Sequence, residues 1–189
     1  MAEDDQVRRS ALKRVAVALK EAGIPFALGG GYATWARGGP EPQHDVDFMI
    51  LPDDVERAVD VLEKAGLTVE RPPEDWLAKV YDGDILIDLV HHPNNRPVTQ
   101  EMLDRCDELE VDSVYMPVMD ATDLLLSKLL ALTENALDLG KVLAPARALR
   151  EQVDWDRVRR ECEPSPYAQS FLFLAERLGV VAPAKATAA

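Results

Sequence analysis

Two aspartates in the segment HDVDFMIL have the type and the spacing to bind a metal ion. Asp45 and Asp47 are two residues apart in a stretch where acidic and apolar residues alternate. In a β-strand, residues two apart point to the same face, so both carboxylates project together while Val46 and Phe48 face the core. Two ionised carboxylates this close repel each other, and the pair is tolerated mainly when a divalent cation or a shared proton lies between them. Mg²⁺ suits such a site because it binds few carboxylate oxygens and completes its shell with water and phosphates. Mn²⁺ is the alternative.

Three consecutive glycines ahead of these aspartates predict an anion-binding turn. The apolar run Phe26–Leu28 stops at Gly29, Gly30 and Gly31, and residues 32–37 contain good helix formers. A strand that turns through glycines into a helix exposes backbone N–H groups at the positive end of the helix dipole. Glycine also lets phosphate oxygens approach where a side chain would collide. We therefore predict that this turn binds phosphate.

A third carboxylate, Asp88, interrupts the apolar segment ILIDLV. This segment reads as the second arm of a hairpin around Asp82-Gly83-Asp84. A charged residue in a central strand needs a partner, because an unpaired buried charge is costly. Two interpretations stay open: Asp88 caps a strand end or pairs with a surface lysine, or it completes a metal site with Asp45 and Asp47.

Three histidines lie near these carboxylates in the sequence. His44 directly precedes Asp45, and His91 and His92 begin a polar loop, HHPNN, that could line a cleft. Adjacent histidines point in different directions and form no chelate by themselves, so the pair is interpreted as loop residues rather than metal ligands. For His44 both interpretations stay open.

Hydrophobic periodicity predicts the elements that position these residues. We expect helices over residues 5–22, 55–65, 99–106, 134–150 and 155–161 and from 165 onward, and strands over 67–70, 76–81 and 85–90 and in a hairpin at 108–118. Another helix starts at Asp120 and carries Lys128 as its one charge among apolar residues. This lysine is either an extended surface side chain or a charge directed at the site. Residues 157–160 are interpreted as a solvated helix face, with a local basic patch as the alternative.

The order of these elements predicts an α/β (α+β) fold. Strands dominate residues 24–118 and helices the remainder, which indicates a mixed sheet flanked by helices with a helical C-terminal half. We expect a core of residues 1–118, a helical region of residues 119–180 packed on it with a cleft between them, and a frayed tail of residues 181–189.

Charge and composition restrict the partners. The chain has 34 acidic and 21 basic residues and a formal net charge of −13, which opposes binding to an extended nucleic-acid backbone but not to a small phosphorylated ligand held through a metal. Cys106 and Cys162 are far apart and lack the spacing of a zinc site or a disulfide framework. The N-terminus shows no signal-peptide pattern, and no run approaches the roughly 20 apolar residues that cross a bilayer. A cytoplasmic protein that does not enter the membrane is expected.

The glycine turn followed by paired aspartates resembles the nucleotidyltransferase superfamily related to DNA polymerase β. Its pattern is an apolar residue, Gly-Gly or Gly-Ser, a spacer of about nine to thirteen residues, Asp-x-Asp, and a third carboxylate on a later strand. Leu28, Gly30 and Gly31 match the first part, residues 32–44 form the spacer, and Asp45, Asp47 and Asp88 supply the carboxylates. The segment 29–48 is similar to small antibiotic nucleotidyltransferases. The segment MPVMDATDLLLSKLLAL is similar to abortive-infection type nucleotidyltransferase toxins, in which a helix presents a lysine that Lys128 matches.

The resemblance implies magnesium-dependent transfer of a nucleoside monophosphate from a nucleoside triphosphate to an acceptor hydroxyl on a small molecule, an RNA end or a protein. It implies that Asp45 and Asp47 are catalytic metal ligands, that Asp88 binds a second ion or acts as general base, and that the glycines hold the β- and γ-phosphates. Lys128 and Arg37 would complement phosphate charge.

One departure and two alternatives accompany this interpretation. The toxin-like proteins carry Arg-Asp and a further Asp after the lysine helix, and only Asp138 survives here. One alternative is a non-catalytic nucleotide-binding protein or toxin–antitoxin partner with the same fold. The other is an α/β domain whose carboxylates are solvated on an edge strand.

Overall fold

The computed structural model describes residues 2–42, 45–73 and 75–183, with side chains from residue 5 onward. His44 and residues 184–189 lie outside the described residues, so the role of His44 and the frayed state of the tail stay predictions. Val181, at the start of the predicted tail, is buried.

Seven strands form one mixed sheet in the order β3-β4-β5-β2-β1-β7-β6. Strand β2 is antiparallel to β1 and parallel to β5, and β1 is parallel to β7. The pairs β3–β4, β4–β5 and β6–β7 are antiparallel. The strands span β1 Phe26–Leu28, β2 Val46–Ile50, β3 Thr68–Glu70, β4 Leu77–Asp82, β5 Ile85–Val90, β6 Asp107–Val111 and β7 Val114–Val118.

Eight α-helices accompany the sheet within the described residues. They span α1 Ala2–Glu21, α2 Gly30–Ala36, α3 Val55–Lys64, α4 Gln100–Asp104, α5 Ala121–Leu130, α6 Leu139–Leu149, α7 Trp155–Cys162 and α8 Pro166–Arg177. Short 3₁₀ turns lie at Pro52–Asp54 and Pro93–Asn95. In the described part of the chain, no helix combines the length and apolarity needed to cross a membrane. The mixed α/β fold expected from the sequence is confirmed.

The predicted start of the helix at residue 134 is wrong, because α6 begins only at Leu139. The backbone turns back on itself earlier, with a β-bridge between Thr133 and Ala136. Asp138 then caps the helix, its side chain accepting a hydrogen bond from the Lys141 N–H at 3.3 Å. A side-chain acceptor at this position stabilises a helix that starts one residue later. The structure therefore gives Asp138 a capping contact.

Strand β2 lies in the centre of the sheet, so the alternative of carboxylates on a solvated edge strand is wrong. Val46, Phe48 and Ile50 are fully buried and alternate with Asp47. This alternation directs Asp47 and Met49 to the opposite face. The sequence pattern thus places a carboxylate on a strand that has neighbours on both sides.

The C-terminal helices share one core with the sheet. Leu28 of β1, Leu129 of α5 and Phe171 of α8 belong to the same cluster of buried residues. Helix α5 contacts α2, α6, α7 and α8, and seven of its ten residues are buried. Contact with elements on several sides explains why leucine fills half of the helix, since a helix surrounded by other elements has little solvent-facing surface. Helix α5 consequently connects the sheet to the helical half.

Candidate functional site

Asp47 and Asp88 are direct neighbours on the two parallel strands β2 and β5. Lys79 of β4 is the register partner of Asp88 on the other side. Residues in register on adjacent strands point to the same face, so the three side chains form a row across the sheet. Two carboxylates 41 positions apart in the sequence are therefore brought together by strand pairing.

The environment of this row disfavours ionised carboxylates. Burial, followed by the charges of Asp88 and Asp45, raises the pKa of Asp47 to about 7, and the charge of Lys128 opposes the shift. Burial and the charge of Asp45 also raise the pKa of Asp88, against the effect of Lys79. One Asp88 oxygen, Oδ1, is buried without a hydrogen-bond partner. A buried carboxylate oxygen without a partner is costly and calls for a proton donor or a cation.

The oxygen donors at this site have the chemistry of a divalent-cation site. Mg²⁺ and Mn²⁺ are bound by carboxylate oxygens, and the buried Asp88 Oδ1 has a lone pair to offer. Asp45 lies just before β2 and is exposed. Among the described residues, no three His, Cys, Asp or Glu side chains stand together as a ready-made ligand group. A cation here would therefore take part of its shell from water or substrate.

The glycine turn fits tightly around Asp47. Gly30 has a positive φ of 56°, and a Cβ added there would lie 1.7 Å from Asp47 Oδ2. The backbone N–H of Gly29 donates to the Asp47 carbonyl at 2.8 Å. A side chain at Gly31 would press on Pro42 at 3.1 Å. The missing side chain at Gly30 thus makes the room that the Asp47 carboxylate occupies.

A cleft of about 350 Å³ opens over Asp47. The polar loop that follows β5 forms part of its wall, as the sequence predicts, and Ser127 of α5 forms another part. Sequence reasoning missed Trp76 and Ser127, because neither has a motif around it. The lining residues are Gly30, Asp47, Met49, Trp76, Val90, His92, Pro93, Asn94, Asn95 and Ser127.

The two adjacent histidines contact each other rather than a shared third atom. His91 is buried, and its Nδ1 lies 2.7 Å from His92 Nδ1. Burial, with a contribution from His92, lowers the pKa of His91. Both backbone N–H groups donate to the Trp76 carbonyl, at 3.0 and 3.1 Å. The pair thus orders the wall of the cleft, in agreement with its interpretation as loop residues.

The two basic residues predicted to bind phosphate are placed differently. The charge of Lys128 acts on Asp47, and the described residues include no carboxylate within 4.0 Å of its ammonium group. Arg37 is almost fully covered, its side chain being 6% exposed. Its guanidinium donates to the Met119 carbonyl at 2.5 Å and to Asp107 at 2.7 Å. The role of Lys128 in binding phosphate stays a prediction, whereas the guanidinium of Arg37 is engaged in holding α2 to β6 and β7.

A buried ion-pair network joins α5 to α4 and α7. The Asp123 side chain is 3% exposed and accepts from Arg105 Nε at 2.9 Å and from Arg157 Nη2. Arg157 also donates to Glu161 at 2.8 Å. The prediction of a solvated face at residues 157–160 is therefore wrong for Arg157 and for the fully buried Val158. The prediction fails for Arg157 because its partner Asp123 lies on another helix, α5, which the sequence of α7 does not indicate.

Comparison with known proteins gives a family and a fold. A family model described as an uncharacterised nucleotidyltransferase matches residues 1–188. No curated protein sequence matches the chain.

Several solved structures share the fold. The solution structure of the antibiotic-resistance factor ANT(2'')-Ia is 16% identical with a TM-score of 0.62, covering 93% of this chain and 96% of that one. The crystal structure of ANT(2'')-Ia with adenylyl-2''-tobramycin is 13% identical with a TM-score of 0.61, covering 89% and 98%. JHP933 from Helicobacter pylori is 13% identical with a TM-score of 0.55, covering 93% and 82%. At these sequence identities the comparison shows a shared fold and nothing beyond it.

Proposed function

Because the chain belongs to the nucleotidyltransferase family whose model matches residues 1–188, we propose that it moves a nucleoside monophosphate from a nucleoside triphosphate to an acceptor hydroxyl. The observation that carries this proposal is the Asp47–Asp88 pair on neighbouring strands, with Asp47 in the wall of the cleft. A raised pKa at Asp47 and an unpartnered oxygen on Asp88 are features of a site built to bind a cation or a proton rather than of a surface pair.

Asp47 and Asp88 would hold a divalent cation, with Asp45 as a further ligand. Such a cation, when bound, neutralises the triphosphate and stabilises the charge that develops on the transferred phosphoryl group. Lys128 would add positive charge on the side of α5. The glycine turn would keep Asp47 in place and present its backbone to the β- and γ-phosphates. Arg37 has no part in this scheme.

The transfer is a displacement at the α-phosphorus. The acceptor oxygen forms a bond to that phosphorus as the bond to the bridging oxygen of pyrophosphate breaks. Pyrophosphate leaves with the bonding electrons. The hydroxyl proton would pass to the Asp88 carboxylate oxygen that does not bind the cation.

Two measurements test this proposal in sequence. Calorimetry with each of the four nucleoside triphosphates, with Mg²⁺ and with EDTA, should show binding that requires the cation. Mass spectrometry of mixtures with small hydroxylated molecules, RNA ends and the protein itself should then show the mass gain of one nucleoside monophosphate. Failure to bind any triphosphate would contradict the proposal. Binding without a mass gain or pyrophosphate in any mixture would identify the chain as a non-catalytic member of its family.

A further inference from the structure

A second cavity of about 360 Å³ lies next to the catalytic cleft. The two share the wall formed by Met49, Pro93, Asn94 and Ser127. Met49 is two residues from Asp47 on β2, so both side chains point to the same face of the sheet. A molecule seated in the second cavity, which we call the acceptor cavity, would therefore adjoin the carboxylate pair.

The greater part of the wall of the acceptor cavity is apolar and rich in methionine. Met102 of α4, Met119 after β7, and Leu126 and Leu130 of α5 line it together with Met49. Methionine side chains are flexible and polarisable, so they adapt to apolar ligands of different shapes. This composition favours an apolar body as the occupant.

The charged groups of the acceptor cavity leave no carboxylate free for an amine. Both oxygens of Asp123 accept from the guanidinium groups of Arg105 and Arg157. Glu161 accepts from Arg157 at 2.8 Å and from Arg96 at 3.5 Å. The lining holds three guanidinium groups and two carboxylates, and Arg105 also pairs with Glu101 outside the lining at 3.1 Å, so each carboxylate of the lining is already paired. A cationic ligand would find no free carboxylate here and would lie beside guanidinium groups, and mismatched charge of this kind excludes wrong partners.

We infer that the acceptor cavity binds the acceptor, and that this acceptor is a small hydroxylated molecule with an apolar body and no positive charge. The inference rests on the proposed function, because it takes the neighbouring cleft as the nucleotide site. The apolar body lies against the methionine wall, and the hydroxyl points past Met49 toward Asp47 and Asp88. Cationic ligands are disfavoured because the carboxylates of Asp123 and Glu161 already pair with arginine side chains.

A fluorescent probe of the same chemistry tests the inference before any natural acceptor is known. 8-Anilinonaphthalene-1-sulfonate has an apolar body and a negative charge, and we expect one molecule to bind per folded chain. Met102→Trp and Leu130→Trp fill the cavity from two helices and should each weaken this binding at least about tenfold. Phe173→Ser is the matched control, because Phe173 is 68% exposed on α8, away from the cavity lining. It should leave the affinity unchanged.

Several results would overturn the inference. They are probe binding that survives both tryptophan variants, probe binding that is lost in Phe173→Ser, and displacement of the probe by the polycation tobramycin. Cooperative urea unfolding of each variant shows that the variant is folded. If one of the two tryptophan variants does not fold, the other tryptophan variant decides the test. ATP binding with Mg²⁺ is measured on the wild-type chain in parallel. Its absence would count against the proposed function, whereas the probe series decides on the acceptor cavity.

Discussion

Replacing Asp47 by Asn should make the protein more stable at alkaline pH in the absence of divalent cations. Asp47 is held beside Asp88 and Asp45 in a partly buried position that raises its pKa to about 7. Above that pH the native state contains an ionised carboxylate in unfavourable surroundings. Asparagine has nearly the same shape and no charge, so the repulsion disappears while the packing remains.

The magnitude follows from the difference in pKa between the folded and unfolded chains. The pKa of Asp47 rises from 3.8 to about 7, and each unit corresponds to about 1.4 kcal/mol. As pH rises, the unfolded chain loses this proton near pH 4 and the folded chain only near pH 7, so stability falls across that window. Linkage then gives a cost of about 4 kcal/mol at pH 8 and about 2 kcal/mol at pH 5. Asp47→Asn should therefore raise the free energy of unfolding by about 4 kcal/mol at pH 8 and by about 2 kcal/mol at pH 5.

Urea unfolding in EDTA at pH 5 and pH 8 measures this difference. Asp60→Asn is a matched control, because Asp60 is an exposed aspartate on α3. It should change the free energy of unfolding little at either pH. Adding Mg²⁺ at pH 8 should stabilise the wild-type chain and not Asp47→Asn. The reasoning is refuted if Asp47→Asn is no more stable than wild type at pH 8, or if its advantage is the same at both values of pH.

Three further substitutions separate the roles of the glycine turn and the two basic residues. Gly30→Ala should lower the free energy of unfolding by at least ~2 kcal/mol and abolish turnover, because its φ is positive and its Cβ would displace Asp47; normal turnover would contradict this. Lys128→Met should raise KM for the nucleoside triphosphate about tenfold, since a charge-assisted contact is lost; an unchanged KM would exclude the contact. Arg37→Ala should lower the free energy of unfolding by ~2–4 kcal/mol without a selective rise in KM, and the reverse pattern would show that Arg37 binds phosphate.

The local elements were predictable because their signals are local. The alternation of Val46, Asp47 and Phe48 specifies which face of β2 each side chain takes, and it predicts both the buried residues and the projecting carboxylate. The stop of β1 at the glycines and the turn into α2 follow in the same way from Gly29 and Gly30. Hydrophobic periodicity and turn-forming residues can be recognised from a few neighbouring positions, so these elements can be predicted from the sequence.

The arrangement between elements was beyond the reach of these patterns. The pairing of Asp47 with Asp88 depends on β2 and β5 lying side by side and parallel. The residues alone left this pairing as one of two interpretations of Asp88, and the family pattern favoured it. Arg37 and Arg157 show the same limit, because a long charged side chain can reach partners on other elements. The partners of such residues are fixed by tertiary packing, so a basic residue near a motif is a weak predictor of a ligand contact.

Pyrophosphate release by the wild-type chain and by Asp88→Asn tests the central claim most directly. The measurement uses the triphosphate and acceptor that bind best, at saturating Mg²⁺, with Asp60→Asn as control. The wild type and the control should release pyrophosphate with Mg²⁺ and not with EDTA, and Asp88→Asn should be slower by at least about a hundredfold. Equal rates for Asp88→Asn and the wild type, or undiminished release in EDTA, would contradict a cation site built on the Asp47–Asp88 pair.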